Sequence, residues 1–199
     1  MLYTIKRYSR KLIQDNPNDM FVFGDNLQRN GLGGQAGEAR YESNSIGVAT
    51  KKYPGMRDED FFCDGDAGEW QRQTRQDLEY ITNMMKYTNI VIPLDGIGTG
   101  LSELPQRSPL INSNIERFFD GLITDEVRKY KTQFKNLKRI YSMNRFKSAN
   151  DLIIEYPGLI DIDHFSEYLY RLVWFAYHKS LDNKRILWKD TLPLYPKED

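Results

Sequence analysis

The sequence predicts an α/β protein in which short buried strands alternate with helices to give a largely parallel or mixed sheet. Three observations carry that expectation. Brief apolar runs occur at 20–24 (MFVFG), 45–50 (SIGVAT) and 89–94 (NIVIPL), each bounded by turn residues and too short for a helix. A long amphipathic segment at 66–87 separates the second run from the third. Glycine-rich loops follow the first and third runs directly.

The elements follow in order. Residues 2–8 (LYTIKRY) alternate apolar and polar and predict an edge strand, and NPND at 16–19 predicts a turn before the strand at 20–24. The second half of the loop DNLQRNGLGGQAGEAR begins a helix, and KKYPG turns the chain after the strand at 45–50. Within 66–87, Asp66 and Glu69 have capping-box spacing, and Trp70, Thr74, Leu78, Ile81 and Met85 form the buried face. The continuous apolar run 89–94 suits a central strand. Ser108 caps a helix with Pro109 at its first position, burying Ile111, Ile115, Phe118 and Leu122. Thr124 caps a further short helix to Phe134, and LKRIYS at 137–142 is a last strand. Residues 1–144 then make one domain. Residues 145–199 make an aromatic-rich, mostly helical extension packed on it, with Asp163 capping a helix to about Leu181. That helix is apolar on more than one face and is a candidate interface for the domain or for a partner.

The bulk numbers exclude several functional classes. Lys plus Arg and Asp plus Glu balance at 28 each, so the chain does not coat nucleic acid by net charge. No apolar stretch reaches the length of a membrane span, and the basic start MLYTIKRYSRKL lacks the apolar segment of a secretory signal. The single cysteine, Cys63, allows no internal disulfide and implies a reducing, cytoplasmic compartment. Two histidines and one cysteine do not make a conventional zinc site, so neither a metal nor a resident cofactor is expected.

The chemistry gathers in the two loops. Four of the seven residues 31–37 are glycine, more than a turn requires, and the segment leaves a buried strand to enter a helix. Glycines let a ligand approach backbone N–H groups, and a helix start favours phosphate. Gly33, Gly34, Gln35 and Ala36 are candidate phosphate or ribose contacts, Asn26 a ribose contact, and Asp25 an acceptor for an adenine amine or a ribose. The second loop, Asp95-Gly96-Ile97-Gly98-Thr99-Gly100-Leu101-Ser102, follows the central strand, where ligands of open α/β sheets bind. Its amides can form a nest for a diphosphate. It is neither a dinucleotide fingerprint nor a P-loop. Thr50 and Lys51 end the strand on the same rim. Together these residues predict a site for a phosphate-containing nucleotide.

At these residues the chain resembles a macrodomain. GDNLQRNGLGGQAGEAR resembles the first signature of that family, and IVIPLDGIGTGLSELP resembles the second, which wraps the diphosphate and distal ribose. The nearest likeness is to the terminal ADP-ribose glycohydrolase branch and to macrodomain-like proteins of bacteriophages. In that branch a strand ends in Thr-Lys-Lys and a later loop reads Ile-Gly-Cys-Gly-Leu-Asp. The matching stretches here are Thr50-Lys51-Lys52 and Ile97 to Ser102. The resemblance covers about residues 18–125. It implies a three-layer α/β/α fold with a mixed sheet, and binding of ADP-ribose, free or attached to protein or nucleic acid. It also implies that Lys51 attacks the distal ribose. A lysine nucleophile needs a lowered pKa, which burial and a neighbouring cation supply; Lys52 is that cation, but adjacent strand residues point to opposite faces, so only one of the two faces the ligand. The branch's aspartate is replaced by Ser102, which removes a general acid or base, and Glu103 needs a different backbone path to stand in for it. Two functions follow. One is removal of ADP-ribose from a macromolecule. The other is non-catalytic sequestration or sensing of an NAD-derived nucleotide signal, as in a phage counter-defence protein acting in the host cytoplasm.

Overall fold

A computed structural model describes residues 1–129 and Tyr195. Four strands, β1 (Leu2–Ile5), β2 (Asp19–Asn26), β3 (Ser45–Lys51) and β4 (Asn89–Pro93), form one sheet in the order β1-β4-β2-β3. Each connection between consecutive strands carries a helix: α1 (Arg10–Asp15), α2 (Ala36–Ala39) and α3 (Ala67–Met84). A helical crossover returns the chain to the same end of the sheet, so every pairing is parallel. The mixed sheet implied by the macrodomain resemblance is therefore not seen among the described residues. After β4 come α4 (Leu104–Arg107) and α5 (Pro109–Lys129).

Alternation along the strands sorts the core into two layers. Ile5, Phe21, Phe23 and Val91 form one cluster with Tyr8, Ile13 of α1 and Ala36 and Ala39 of α2. The intervening residues Leu2, Thr4, Met20, Val22, Ile90 and Ile92 are buried as well. Helix α3 packs on β3 and β4, where Trp70 Nε1 donates to the Ala49 carbonyl at 2.8 Å. Both faces of the sheet are thus covered, as a parallel sheet requires. β1 is an edge strand, as its alternation predicts, but it stops at Ile5. Its outer edge is met by Tyr195, whose N–H donates to the Thr4 carbonyl at 2.7 Å.

Several predicted details differ for identifiable reasons. Asp66 precedes α3 but makes no cap bond to it; its carboxylate accepts from the Cys63 N–H at 2.8 Å and from Lys52 Nζ at 3.1 Å. Ser108 does not cap α5 with its hydroxyl. Asp64 supplies the acceptor instead, taking the Leu110 N–H at 2.8 Å and the Ser108 hydroxyl at 2.9 Å. Thr124 does not start a new helix: its hydroxyl donates to the Asp120 carbonyl at 2.8 Å, one turn back within a continuous α5. Phe119, not Phe118, is buried.

The chain divides into two compact units, Met1–Phe119 with Leu194–Asp199, and Asp120–Pro193. The strand at 137–142, the helix from Asp163 to Leu181 and the boundary at 144–145 lie outside the described residues. Among the described residues no helix is long and apolar enough to cross a membrane, and no cluster of potential metal ligands occurs.

Candidate functional site

The parallel arrangement sends the carboxyl ends of all four strands to one rim of the sheet. A cavity of about 500 Å³ opens along that rim, within the size range of small-molecule sites. Fifteen of the sixteen residues singled out from the sequence line it. These are Asp25, Asn26, Gly33, Gly34, Gln35 and Ala36 from the first loop, Thr50 and Lys51 from β3, and Asp95, Gly96, Gly98, Thr99, Gly100, Leu101 and Ser102 from the second. Ile97 does not line it: at 1% exposure it anchors the second loop in the core.

The first loop is held from below by a buried ion pair. Arg40 and Asp25 meet side-on, with Arg40 Nη1 3.2 Å from Asp25 Oδ2 and Nη2 on Oδ1, and Arg40 Nε donates to the Gly31 carbonyl at 2.8 Å. Asp25 also accepts the Asn26 N–H at 2.7 Å and lies 3.5 Å from Arg29. The expected acceptor for an adenine amine is therefore already committed within the protein. Asn26 is engaged too: its amide donates to the Asn30 carbonyl at 2.7 Å and accepts the Gln28 N–H at 3.0 Å, closing the turn that launches the loop. Gly31 and Gly34 hold φ of +84° and +59°, which only glycine adopts without strain. Helix α2 has four residues, too few for a dipole of consequence, so free amides rather than a helix terminus are what this loop offers an anion.

The second loop is folded back on itself. The Glu103 N–H donates to the Gly100 carbonyl at 3.0 Å and the Leu104 N–H to the Gly98 carbonyl at 2.9 Å. Gly98 has φ of +92°, and a Cβ there would stand 2.9 Å from Leu104 Cδ2 and 3.1 Å from Thr50 Cγ2. Gly98 is thus a packing glycine whose missing side chain faces the protein. Gly100 is different, since a Cβ there meets nothing within 4 Å. The N–H groups from Gly98 through Ser102, and those of Gly33, Gly34 and Gln35, make no hydrogen bond among the described residues. Consecutive free amides of this kind form an anion-binding concavity. The two loops touch at the mouth, where Leu101 Cδ1 lies 3.1 Å from where a Gly33 Cβ would stand.

Lys51 lines the cavity, but its ammonium is turned aside. Nζ donates to the Gly55 carbonyl, lies 3.5 Å from Met56 Sδ and sits 4.0 Å above the Phe61 ring. Arg107 approaches the same ring at 3.7 Å. Burial pulls the Lys51 pKa below its ordinary value; Asp60 opposes this, Arg107 reinforces it and Glu103 opposes it. The neighbouring cation is therefore Arg107. Lys52, expected in that role, is paired with Asp66 on the other side of the strand. Glu103, adjacent to Ser102, is committed within the protein: it holds φ of +47° and its carboxylate accepts from Arg107 Nε at 2.8 Å. Ser102 lines the cavity.

A family model described as a family of unknown function, DUF7831, matches residues 3–118. The chain belongs to DUF7831. The matched span contains every cavity-lining residue of this DUF7831 protein, from Lys6 to Ser102. No curated protein and no solved structure matches the chain.

Sequence reasoning did not single out Lys6, Asn30, Arg40, Pro54, Met56 and Pro93, which also line the cavity, nor Gly24, Gly31 and Leu32 of the first loop as contacts in their own right. Lys6 had a usable signal, because it follows a strand whose end points to the same rim as the others. Arg40 had none: its partner Asp25 is fifteen residues away and the pairing depends on α2 folding back over β2.

Proposed function

We propose that this protein binds ADP-ribose or a related NAD-derived diphosphate nucleotide. One observation carries this: two glycine loops and the end of β3 converge on a single cavity whose wall is a run of unpaired backbone amides, Gly98–Ser102. A diphosphate needs several donors at close range; of the two carboxylates lining the cavity, Asp25 is neutralised by Arg40 and Asp95 is exposed to solvent on the second loop. The cavity crosses the ends of four adjacent strands, roughly 14 Å at about 4.8 Å per strand spacing, so an elongated ligand matches its shape. Thermal melting in the presence of ADP-ribose, NAD, ADP and cyclic ADP-ribose isomers tests the assignment. At a hundred times the dissociation constant the bound state gains about 2.7 kcal/mol. No shift with any of the four refutes it.

Lys51 favours a second function, removal of ADP-ribose from a protein or nucleic acid, because it lines the cavity with a lowered pKa. In that chemistry the neutral amine attacks the anomeric carbon of the distal ribose, the carrier departs with the bonding pair, and water then releases the sugar. The ammonium must first leave the Gly55 carbonyl and the Phe61 ring. Ser102 has a hydroxyl where a carboxylate would assist, so turnover is slow and binding without turnover is the simpler state. Release of ADP-ribose from a modified protein or DNA by wild type but not by Lys51→Ala supports the hydrolase. Equal release by both removes Lys51 from the mechanism.

A further inference from the structure

Three cations line the cavity: Lys6, Arg40 and Lys51. Two of them are already committed within the protein. Arg40 is paired with the buried carboxylate of Asp25, and the Lys51 ammonium is bound to the Gly55 carbonyl and lies over the Phe61 ring. Lys6 differs from both: it is exposed and makes no hydrogen bond or ion pair among the described residues. Its backbone, by contrast, is fixed. Lys6 follows β1, whose last residue, Ile5, is buried and accepts the Leu94 N–H at 2.8 Å. Beyond it, Tyr8 is buried with its hydroxyl donating to the Val22 carbonyl at 3.0 Å. The chain is thus pinned on both sides of Lys6, while a flexible stem carries a free ammonium at the rim.

The neighbouring wall shows what that ammonium meets. β1 lies beside β4, so Lys6 and the second loop leave adjacent strands at the same rim. That loop offers an anion the unpaired N–H groups from Gly98 through Ser102. Amides carry partial charges only, so a diphosphate seated on them keeps much of its negative charge uncompensated. A lysine answers that charge as a mobile point charge. Asp95, exposed on the same loop, is the carboxylate that opposes it.

We infer that Lys6 is the cation that binds the phosphates of the ligand, so that affinity at this cavity depends on one charged side chain outside both glycine loops. This rests on the nucleotide-binding function proposed above. Isothermal titration of the full-length protein with ADP-ribose tests it, using wild type, Lys6→Ala, Lys6→Arg and Arg7→Ala. Arg7 is exposed but does not line the cavity, so Arg7→Ala makes the same change in net charge away from the phosphates. At about 20 mM salt, where screening is weak, Lys6→Ala binds about tenfold more weakly than wild type. At about 500 mM salt the gap narrows to about twofold. Lys6→Arg stays within about threefold of wild type and Arg7→Ala within about twofold at either salt. Lys6 has no partner in the free protein, so its variants melt within about 2 °C of wild type without ligand, which separates lost recognition from lost folding. Lys6→Ala binding as tightly as wild type at low salt would overturn the inference. So would a loss that salt does not change, or an equal loss in Arg7→Ala, which would put the effect in the general field of the protein. In each of these cases wild type still binds and the proposed function stands; wild type that binds no ADP-ribose overturns both.

Discussion

Two glycines two residues apart in the second loop respond to the same substitution in opposite ways. Gly98→Val forces a β-branched residue to φ of +92° and places its Cβ 2.9 Å from Leu104 Cδ2, 3.0 Å from Leu104 Cβ and 3.1 Å from Thr50 Cγ2. The backbone contributes about 1–2 kcal/mol of strain and the overpacking about 1–3 kcal/mol. Gly98→Val therefore costs roughly 2–5 kcal/mol, a large fraction of a typical domain's stability. For a chain of this size that lowers the melting temperature by roughly 4–20 °C. Gly100→Val meets no atom within 4 Å and needs no positive φ, so the fold is unchanged within about 0.5 kcal/mol. Its side chain occupies space at the anion-binding amides, and the stabilisation by ADP-ribose disappears. Melting curves of both variants with and without ADP-ribose read out all four states. A Gly100→Val protein that keeps the full ligand shift would show that the amide wall does not hold the ligand. A Gly98→Val protein as stable as wild type would show that the inward packing is wrong.

Three further outcomes follow from other contacts. Arg40→Ala leaves Asp25 buried beside Arg29 alone, and urea titration is expected to show a loss of about 3–5 kcal/mol. Asp64→Ala removes the acceptor for the Leu110 N–H at the start of α5 and costs about 1 kcal/mol by the same measurement. The Lys51 pKa is lowered in the folded protein, so the unfolded chain holds its proton more firmly. The penalty is present in full below the folded value and fades as pH rises through it toward the ordinary 10.5. Melting of wild type and Lys51→Met from neutral to alkaline pH is expected to show wild type gaining on the variant with rising pH; a constant difference would contradict the burial of that ammonium.

Periodicity located the strands well, because an apolar run of five or six residues between turn residues has few other uses. The runs 20–24, 45–50 and 89–94 became β2, β3 and β4, and the rim rule for parallel sheets then placed both glycine loops at one site. Short helices were not legible. α1 buries only Ile13 and α4 has four residues, so neither has enough length to show a period. Caps were misassigned because acceptors came from elsewhere in the chain: Asp64 reaches Leu110 across forty-six residues. Within the site, sequence identified which residues gather but not which groups remain free. Asp25 and Asn26 have the right chemistry for a ligand, yet they are occupied by Arg40 and by Asn30. Gln35, which draws less notice in the sequence, keeps its carbonyl unpaired.

The contact of Leu101 with Gly33 has a kinetic consequence. Leu101 is 56% exposed, yet its methyl group lies against Gly33 and so joins one glycine loop to the other beside the cavity. For the nucleotide proposed above, this contact is expected to hold the two loops together over a bound ligand, and stopped-flow exchange kinetics of wild type against Leu101→Ala check it. Leu101→Ala is expected to speed ligand exchange; an unchanged dissociation rate would show that the contact does not cover the ligand.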